Sequence, residues 1–361
     1  MRTLLVTKEY PPTKGGVANY YYNLAGHFPL HETFLVMHNN SLELDSNRGF
    51  FSWRHSFGEI YRKIKNSNID HVLVGHILPL GTVVFCLSFF LPFSYSVFLH
   101  GLDLSCALKK GRKRFLSAFI LKRAKTIIAA NSFVASSLIK AIPSLADRVS
   151  VINPGLPKNH PFVSEREKTE MIKKYNLKNK TILFSLGRLV KRKGVDYTIK
   201  ALNEMSDNDL NDLVYIVAGD GPEKQKLKEL VPVRLKNRII FLGEVKEEEK
   251  WCLLSLCDIF IMPARDILGD YEGFGIVYLE ANLFSKPVIA GRAGGVSDAV
   301  VNNLNGLLID PENIAEIKEA IITLKNNEAL RNLLGTQGKV RAEKEFNWEK
   351  LSHDLYNVIK Q

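Results

Sequence analysis

The stretch CDIFIMPARDILGDYEGFGIVYLEANLF (257–284) decides the fold class. It opens with a short apolar run, CDIFIMPA (257–264), of strand length and composition. It closes with IVYLEANLF (276–284), which reads as a helix. Between them lies a glycine-flanked turn, Gly273 and Gly275, bracketed by two carboxylates, Glu272 and Glu280. Strand, turn and helix in this order form the repeating unit of a doubly wound α/β domain. Glycines at the entry to a helix let a ligand approach the backbone, where the first N–H groups can receive a phosphate. Carboxylates beside that site accept hydrogen bonds from sugar hydroxyls. Acidic groups around an anion site suit a ligand that carries both phosphate and hydroxyls, as a nucleotide sugar does.

The unit recurs along the chain. Apolar runs rich in β-branched residues fall at 2–7, 33–38, 71–76, 96–101, 126–131 and 148–153 in the first half. In the second half they fall at 181–187, 213–219, 238–243, 258–263, 286–291 and 306–310. Helix-like stretches separate them, which predicts two parallel, doubly wound sheets in two domains. A chain of 361 residues is long enough for both cores. The join is placed near 154–178, where Pro154, Gly155, Pro157 and Pro161 break regular structure. The predicted domains are 1–157 with a C-terminal helix at 345–361, and 158–344.

Composition narrows the class. With 46% hydrophobic and 24% charged residues, the chain reads as a soluble globular protein. Cys86, Cys106, Cys252 and Cys257 form no C-x-x-C pair and read as buried apolar residues in a reducing compartment. The N-terminus runs straight into a strand pattern, so no signal peptide is read there. The net charge of +11 favours an anionic partner. Residues 109–125 hold Lys109, Lys110, Arg112, Lys113, Arg114, Lys122, Arg123 and Lys125 with no acid, and Phe115, Phe119 and Ile120 supply an apolar stripe. Two readings stay open for this segment: peripheral contact with an anionic membrane, or a solvated helix packed on its own domain. Ile77 to Leu99 lacks charge, but Pro79 and Pro92 cut it. It is read as a buried helix at about 80–91 followed by a central strand.

Other candidate site residues follow strands, at the edge where ligands bind in such sheets. Gly15 and Gly16 sit where the first helix should begin, offering backbone N–H groups to a phosphate or sugar, or forming a plain flexible turn. In GRLVKRKGVD (187–196), Arg188 and Lys193 are cations suited to phosphate, although basic loop residues are commonly just solvated. Gly219 and Gly221 in AGDGPE (218–223) line a base or simply make a turn. His100, with Asp103 after it, ends the central strand of the first domain, as a ligand contact or a structural histidine. Asp207-Asn208-Asp209 has a metal-binding spacing but sits in a polar run, and is read as a surface turn.

Taken together, GRLVKRKG, AGDGPE, the Glu272-x7-Glu280 element, KPVIAGRAGGVSDAV and NGLLIDP resemble, in order and spacing, glycosyltransferase family 4, retaining enzymes of the GT-B fold. EGFGIVYLEA is also similar to phosphatidylinositol mannosyltransferase-like members that use GDP-mannose. The resemblance implies an α/β architecture of two Rossmann-like domains facing across a cleft, with the acceptor mainly on the first and the donor nucleotide mainly on the second. It implies that the C-terminal helix crosses back onto the first domain. It implies that Arg188 and Lys193 bind the diphosphate, Glu272 the transferred sugar and Glu280 the ribose. Phe274, Gly275 and Ile276 would contact sugar or phosphate through their backbone, Gly16 would approach the diphosphate, and His100 would line the sugar site. No metal or other cofactor is expected; the donor would be a GDP- or UDP-sugar. The expected partners are that donor and a glycan or lipid-linked acceptor in bacterial surface glycan biosynthesis, with no nucleic acid. The expected location is cytoplasmic, at the inner face of the plasma membrane if 109–125 touches lipid. Two alternatives stay open: an epimerase or phosphorylase of the same fold, and a non-enzymatic basic membrane or nucleic-acid binder. The intact Arg188, Lys193, Glu272 and Glu280 set weighs against the latter.

Overall fold

A computed structural model of the chain describes residues 1–13, 15–38, 53–108, 111–157 and 162–361. It divides into two compact units, 1–155 with 346–361, and 156–345. Lys109, Lys110 and Pro161 lie outside the described residues.

The first unit is a six-stranded parallel sheet of β1 (Arg2–Val6), β2 (Thr33–Met37), β3 (His71–Val74), β4 (Ser94–Leu99), β5 (Thr126–Ala129) and β6 (Val149–Val151), in the order β2-β1-β3-β4-β5-β6. The second contains β7 (Thr181–Leu186), β8 (Leu213–Ala218), β9 (Ile239–Gly243), β10 (Ile259–Met262), β11 (Val288–Gly291) and β12 (Gly306–Ile309), in the order β12-β11-β10-β7-β8-β9. Every predicted strand is present. The reason is physical: a parallel strand is covered by helices on both faces and so reads as an unbroken apolar run. β3, β8, β10 and β11 are buried along their whole length.

Strand order fixes where ligands can bind. In each sheet the chain reverses direction of growth at one point: between β1 and β3 in the first unit, and between β7 and β10 in the second. Loops leaving the carboxyl ends of the two strands flanking that point diverge and leave a crevice. The loops after β1 and β3 therefore carry the candidate site of the first unit. Those after β7 and β10 carry that of the second.

The C-terminal segment belongs to the first unit. Trp348–Lys360 is a helix whose buried Trp348, Leu351, Leu355, Tyr356 and Ile359 join Tyr20, Tyr21, Leu24 and Phe28 in one apolar cluster. Ser352 donates to the Leu24 carbonyl (3.2 Å), and Lys125 Nζ donates to the Ile359 carbonyl at the helix C-terminus (3.0 Å).

Three expectations need correction. The helix placed at 80–91 starts later and is shorter: Ile77–Gly81 forms a wide turn around Pro79, and the regular helix is Thr82–Leu87. Pro79 supplies no N–H and its ring crowds the preceding turn, so regular winding begins only beyond it. The C-terminal helix does not run from 345: Glu328–Glu345 ends first, and Asn347 restarts the chain by accepting the Lys350 N–H (2.8 Å). The apolar stripe of the basic segment is divided. In the helix Arg112–Arg123, Ile120 is buried with Leu121 and Ser117, while Phe115 and Phe119 remain 70% and 47% exposed. Asp207–Asp209 is a surface turn, with Asp207 paired to Arg234 (2.7 Å) and Asp209 to Ser206 (2.6 Å). Among the described residues, no helix is long and apolar enough to cross a membrane.

Candidate active site

In the second unit, the loop after β7 makes one turn at Lys191–Lys193 and ends on Gly194 in the left-handed conformation (φ 75°). A Cβ there would overlap the Pro263 carbonyl oxygen, so only glycine lets this loop lie against the one leaving β10. The contact brings two charged side chains together: Lys193 Nζ reaches Glu272 Oε2 at 2.6 Å. Arg192 reaches the same oxygen through Nη1 at 2.7 Å and Asp270 through Nε at 3.0 Å. Glu272 and Lys193 are only 12% and 13% exposed, so both charges are largely withdrawn from water.

The backbone of Glu272 is held as well. Its carbonyl accepts the Gly295 N–H (3.0 Å), and Gly294 packs so closely beside it that a Cβ would overlap that oxygen. This accounts for Gly294, the first glycine of the Gly-Gly pair in GRAGGV. The helix Ile276–Leu283 then begins at Gly275, again left-handed (φ 78°), because the ring of buried Tyr278 fills the place a Cβ would take. Tyr278 donates to the Met262 carbonyl at the end of β10 (2.6 Å), which ties the helix to the strand. Phe274, Gly275 and Ile276 thus sit at a helix N-terminus two to four residues after Glu272, where the helix dipole favours an anion.

Glu280, on the same helix, pairs with Lys250 (3.0 Å), which lies over the Trp251 ring. Burial pushes its carboxyl above the usual range, against the pull of the Lys250 ammonium. Arg188 is exposed and has no side-chain hydrogen bond or ion pair among the described residues. Gly219 and Gly221 follow β8. A Cβ on Gly219 would overlap the Gly187 carbonyl oxygen, and one on Gly221 the Leu189 carbonyl oxygen. Their small size is therefore demanded by the packing of AGDGPE against the 187–189 turn.

In the first unit, Gly15 and Gly16 begin the helix Gly16–Gly26, and a Cβ at either would meet nothing within 4 Å. Packing does not explain these glycines. His100 ends β4. Its Nε2 lies 2.7 Å from Tyr21 Oη, and that hydroxyl also lies 2.9 Å from the Gly75 carbonyl. A carbonyl only accepts, so Tyr21 donates to Gly75 and His100 Nε2–H donates to Tyr21. This leaves His100 Nδ1 as an acceptor. Burial, helped by the charge of His76, pushes the His100 pKa down to about 4, against the pull of Asp103 and Glu9. Asp103 Oδ1 accepts the N–H groups of His100 (3.0 Å) and Gly101 (2.9 Å) and so fixes the strand end.

His100 and Asp103 line a cavity of about 590 Å³ together with Glu9, Val17, His76, Leu78, Pro79, Ala107 and Lys113. Glu9 Oε1 and His76 Nε2 lie 3.3 Å apart across the reversal point of the sheet. His76 Nδ1 and Asp103 Oδ2 are buried with no hydrogen-bond partner among the described residues.

The structure thus brings together Lys193, Glu272 and the Phe274–Ile276 helix start in the second unit, and His100 with Asp103 in the first. Arg188 stands apart from the Glu272 ion pairs. The sequence reading passed over Arg192, Glu9, His76 and Tyr21. Position alone offered a signal for two of them: Glu9 and His76 both follow strands at the ligand edge.

The profile of the family described as glycosyl transferases, group 1 matches residues 167–341. An uncharacterized glycosyltransferase of Methanocaldococcus jannaschii is 30% identical over 298 residues, which is 82% of this chain and 77% of that protein. A GDP-mannose-dependent monoacylated alpha-(1-6)-phosphatidylinositol monomannoside mannosyltransferase of Corynebacterium glutamicum is 26% identical over 391 residues, 99% of this chain and 97% of its own. Among solved structures, Anabaena HepE in complex with UDP superposes with a TM-score of 0.80 over 100% of both chains, at 19% identity. The two parallel six-stranded sheets have the GT-B fold, and the chain belongs to the group 1 glycosyltransferase family.

Proposed function

We propose that this glycosyltransferase moves a hexose, with retention and without a metal, from a nucleoside diphosphate sugar to a hydroxyl of a glycan or lipid-linked acceptor. The observation that carries the reading is the contact of Lys193 with Glu272 (2.6 Å) beside the N-terminus of the Ile276–Leu283 helix. A diphosphate needs cations and N–H donors; the hydroxyls of the attached sugar need an acceptor. Both sit here on two adjoining loops.

Cleaving the bond between the anomeric carbon and the phosphate oxygen builds positive charge on the sugar and negative charge on the departing diphosphate. Arg188, Lys193 and the first N–H groups of the helix neutralise the latter from fixed positions. Glu272 holds hydroxyls of the transferred sugar, and Glu280 those of the ribose. The acceptor oxygen attacks on the face the phosphate leaves. Its proton passes to the departing phosphate oxygen, so no protein nucleophile is required. Cationic side chains take the part a divalent ion would play.

The first unit offers an acceptor site. Its cavity carries hydrogen-bond acceptors in Glu9, Asp103 and His100, and apolar walls in Val17, Leu78, Pro79 and Ala107. That combination suits a ring with hydroxyls on its edge and C–H groups on its face. Phe115 and Phe119, Phe90 (76% exposed) and Phe89 (58%) stand out among Arg112, Lys113, Arg114, Lys122 and Arg123. Arg123 lies 4.1 Å from the Phe89 ring centre and hydrogen-bonds Ser88. Such a surface fits peripheral attachment to an anionic membrane, at the inner face of the plasma membrane. The relative that acts on a phosphatidylinositol mannoside supports a lipid-linked acceptor and GDP-mannose as donor.

A thermal-shift panel of UDP-, GDP- and ADP-sugars tests the reading on wild type and Glu272→Ala. One nucleotide class is expected to raise the wild-type Tm. A flat panel overturns the proposal. The anomeric configuration of the first-formed product, read by NMR, decides retention.

A further inference from the structure

We infer that Arg192 is a positioning residue that keeps Glu272 paired when Lys193 turns to the donor's diphosphate. The inference rests on the nucleotide-sugar reading above. Its basis is that one carboxylate oxygen, Glu272 Oε2, carries two cations: Lys193 at 2.6 Å and Arg192 at 2.7 Å. A phosphate that draws the Lys193 ammonium towards itself loosens its hold on Glu272. A carboxylate only 12% exposed that lost its sole cation would be left as a largely desolvated, uncompensated charge. With Arg192 present, the lysine can move and the carboxylate remains paired.

Arg192 is built for a fixed role. Its guanidinium is braced by Asp270 (3.0 Å) as well as Glu272. Its own carbonyl accepts the N–H of Arg265 (2.8 Å). Arg265 in turn is nearly buried and held by both oxygens of Asp196, each contact 2.8 Å. Among the described residues, Lys193 has Glu272 as its only side-chain partner, and it runs past Gly187, where a Cβ would lie 3.6 Å from its Cε and 3.7 Å from its Nζ. The rigid, planar, two-armed cation therefore stays, and the flexible point charge moves. Arg188 cannot substitute, since it is exposed and takes no part in the Glu272 pairs.

The test is a double-mutant cycle on binding of the bare nucleoside diphosphates UDP and GDP, measured by titration calorimetry with the full chain. Arg192→Gln is expected to weaken diphosphate binding by about tenfold or more in the wild-type background, the size typical of coupling between residues in contact. On a Glu272→Gln background the same change should cost less than about twofold, because no carboxylate is left to strand. Arg192→Lys, which keeps the charge but loses the two-armed hold, should recover only part of the affinity. A general weakening of the fold would lower affinity in both backgrounds alike. Equal losses in both, or no loss in either, overturn the inference. If the wild type binds neither diphosphate, the nucleotide-sugar reading itself fails and takes the inference with it.

Discussion

Lys193 Nζ and Glu272 Oε2 lie 2.6 Å apart, so a cation suited to phosphate and a carboxylate suited to sugar hydroxyls neutralise one another. Removing the carboxylate's charge should therefore separate binding from chemistry. In Glu272→Gln, Lys193 no longer has to leave an anion, and bare nucleoside diphosphate should bind at least as tightly as to wild type. Transfer should fall by about 10²–10³-fold, the scale seen when one preorganised electrostatic partner is lost. Calorimetry with the diphosphate and turnover with the sugar nucleotide read the two effects. Parallel losses in both would show that the carboxylate only supports the loop.

The glycines divide into two kinds, and substitution should distinguish them. Gly219 is left-handed (φ 129°) and faces the Gly187 carbonyl oxygen. Gly219→Ala should destabilise the second unit by about 1–3 kcal/mol or more, from backbone strain together with the overlap. Gly16 faces open space as the first residue of a helix. Gly16→Ala should leave Tm unchanged or slightly raised, since alanine favours the helix by up to ~1 kcal/mol. If a diphosphate approaches that backbone, kcat/KM should still fall. Thermal denaturation and turnover on the same two proteins settle both points. An unchanged kcat/KM in Gly16→Ala would reduce Gly15-Gly16 to a turn.

Much of this was legible in sequence because of how parallel sheets are covered. A run such as LVYIVA (213–218), buried on both faces, can hardly be read as anything else. Lys193 and Glu272 were legible because each follows a strand beside the reversal point, and charge there has few structural uses. Arg192 was not: in the run KRK (191–193), composition cannot say which side chain turns inward. Glu9 and His76 escaped because their contact spans 67 residues of sequence and depends on strand order, which no local pattern reports. For Phe115, Phe119 and Ile120 the sequence left open whether the apolar stripe packs inward or faces outward. Ile120 and Leu121 lie one step further round the same helix and won the core, leaving the phenylalanines outside.

The histidine at the end of β4 predicts a pH effect. The folded-state pKa of His100 is pushed down to about 4 by burial. The unfolded chain takes up that proton near pH 6.5, so between these values the unfolded state binds more protons and stability rises with pH. The contribution is complete above about pH 6.5 and is lost as pH falls towards 4, by at most ~3 kcal/mol at ~1.4 kcal/mol per pKa unit. His71, buried between Ser94 and Ser96 with a pKa near 3, acts in the same direction. His100→Gln should therefore flatten, without abolishing, the fall in Tm from pH 6.5 to 4.5. An unchanged slope would show that the imidazole is hydrated.

The exposed aromatics of the basic helix make the membrane reading testable apart from catalysis. An interfacial anchor needs apolar area as well as positive charge, and each basic residue near an anionic surface adds about 1 kcal/mol. Phe115→Ser with Phe119→Ser removes area and leaves every charge in place. Neither ring belongs to the core, so Tm should shift by less than about 0.5 kcal/mol equivalent. Cosedimentation with vesicles containing phosphatidylserine or phosphatidylinositol should drop at least about fivefold, and residual binding should vanish in high salt. Transfer to a water-soluble acceptor should stay unchanged while transfer to a vesicle-borne one declines. If this double variant sediments like wild type, the rings face water without purpose and the helix is only a solvated flank of its unit.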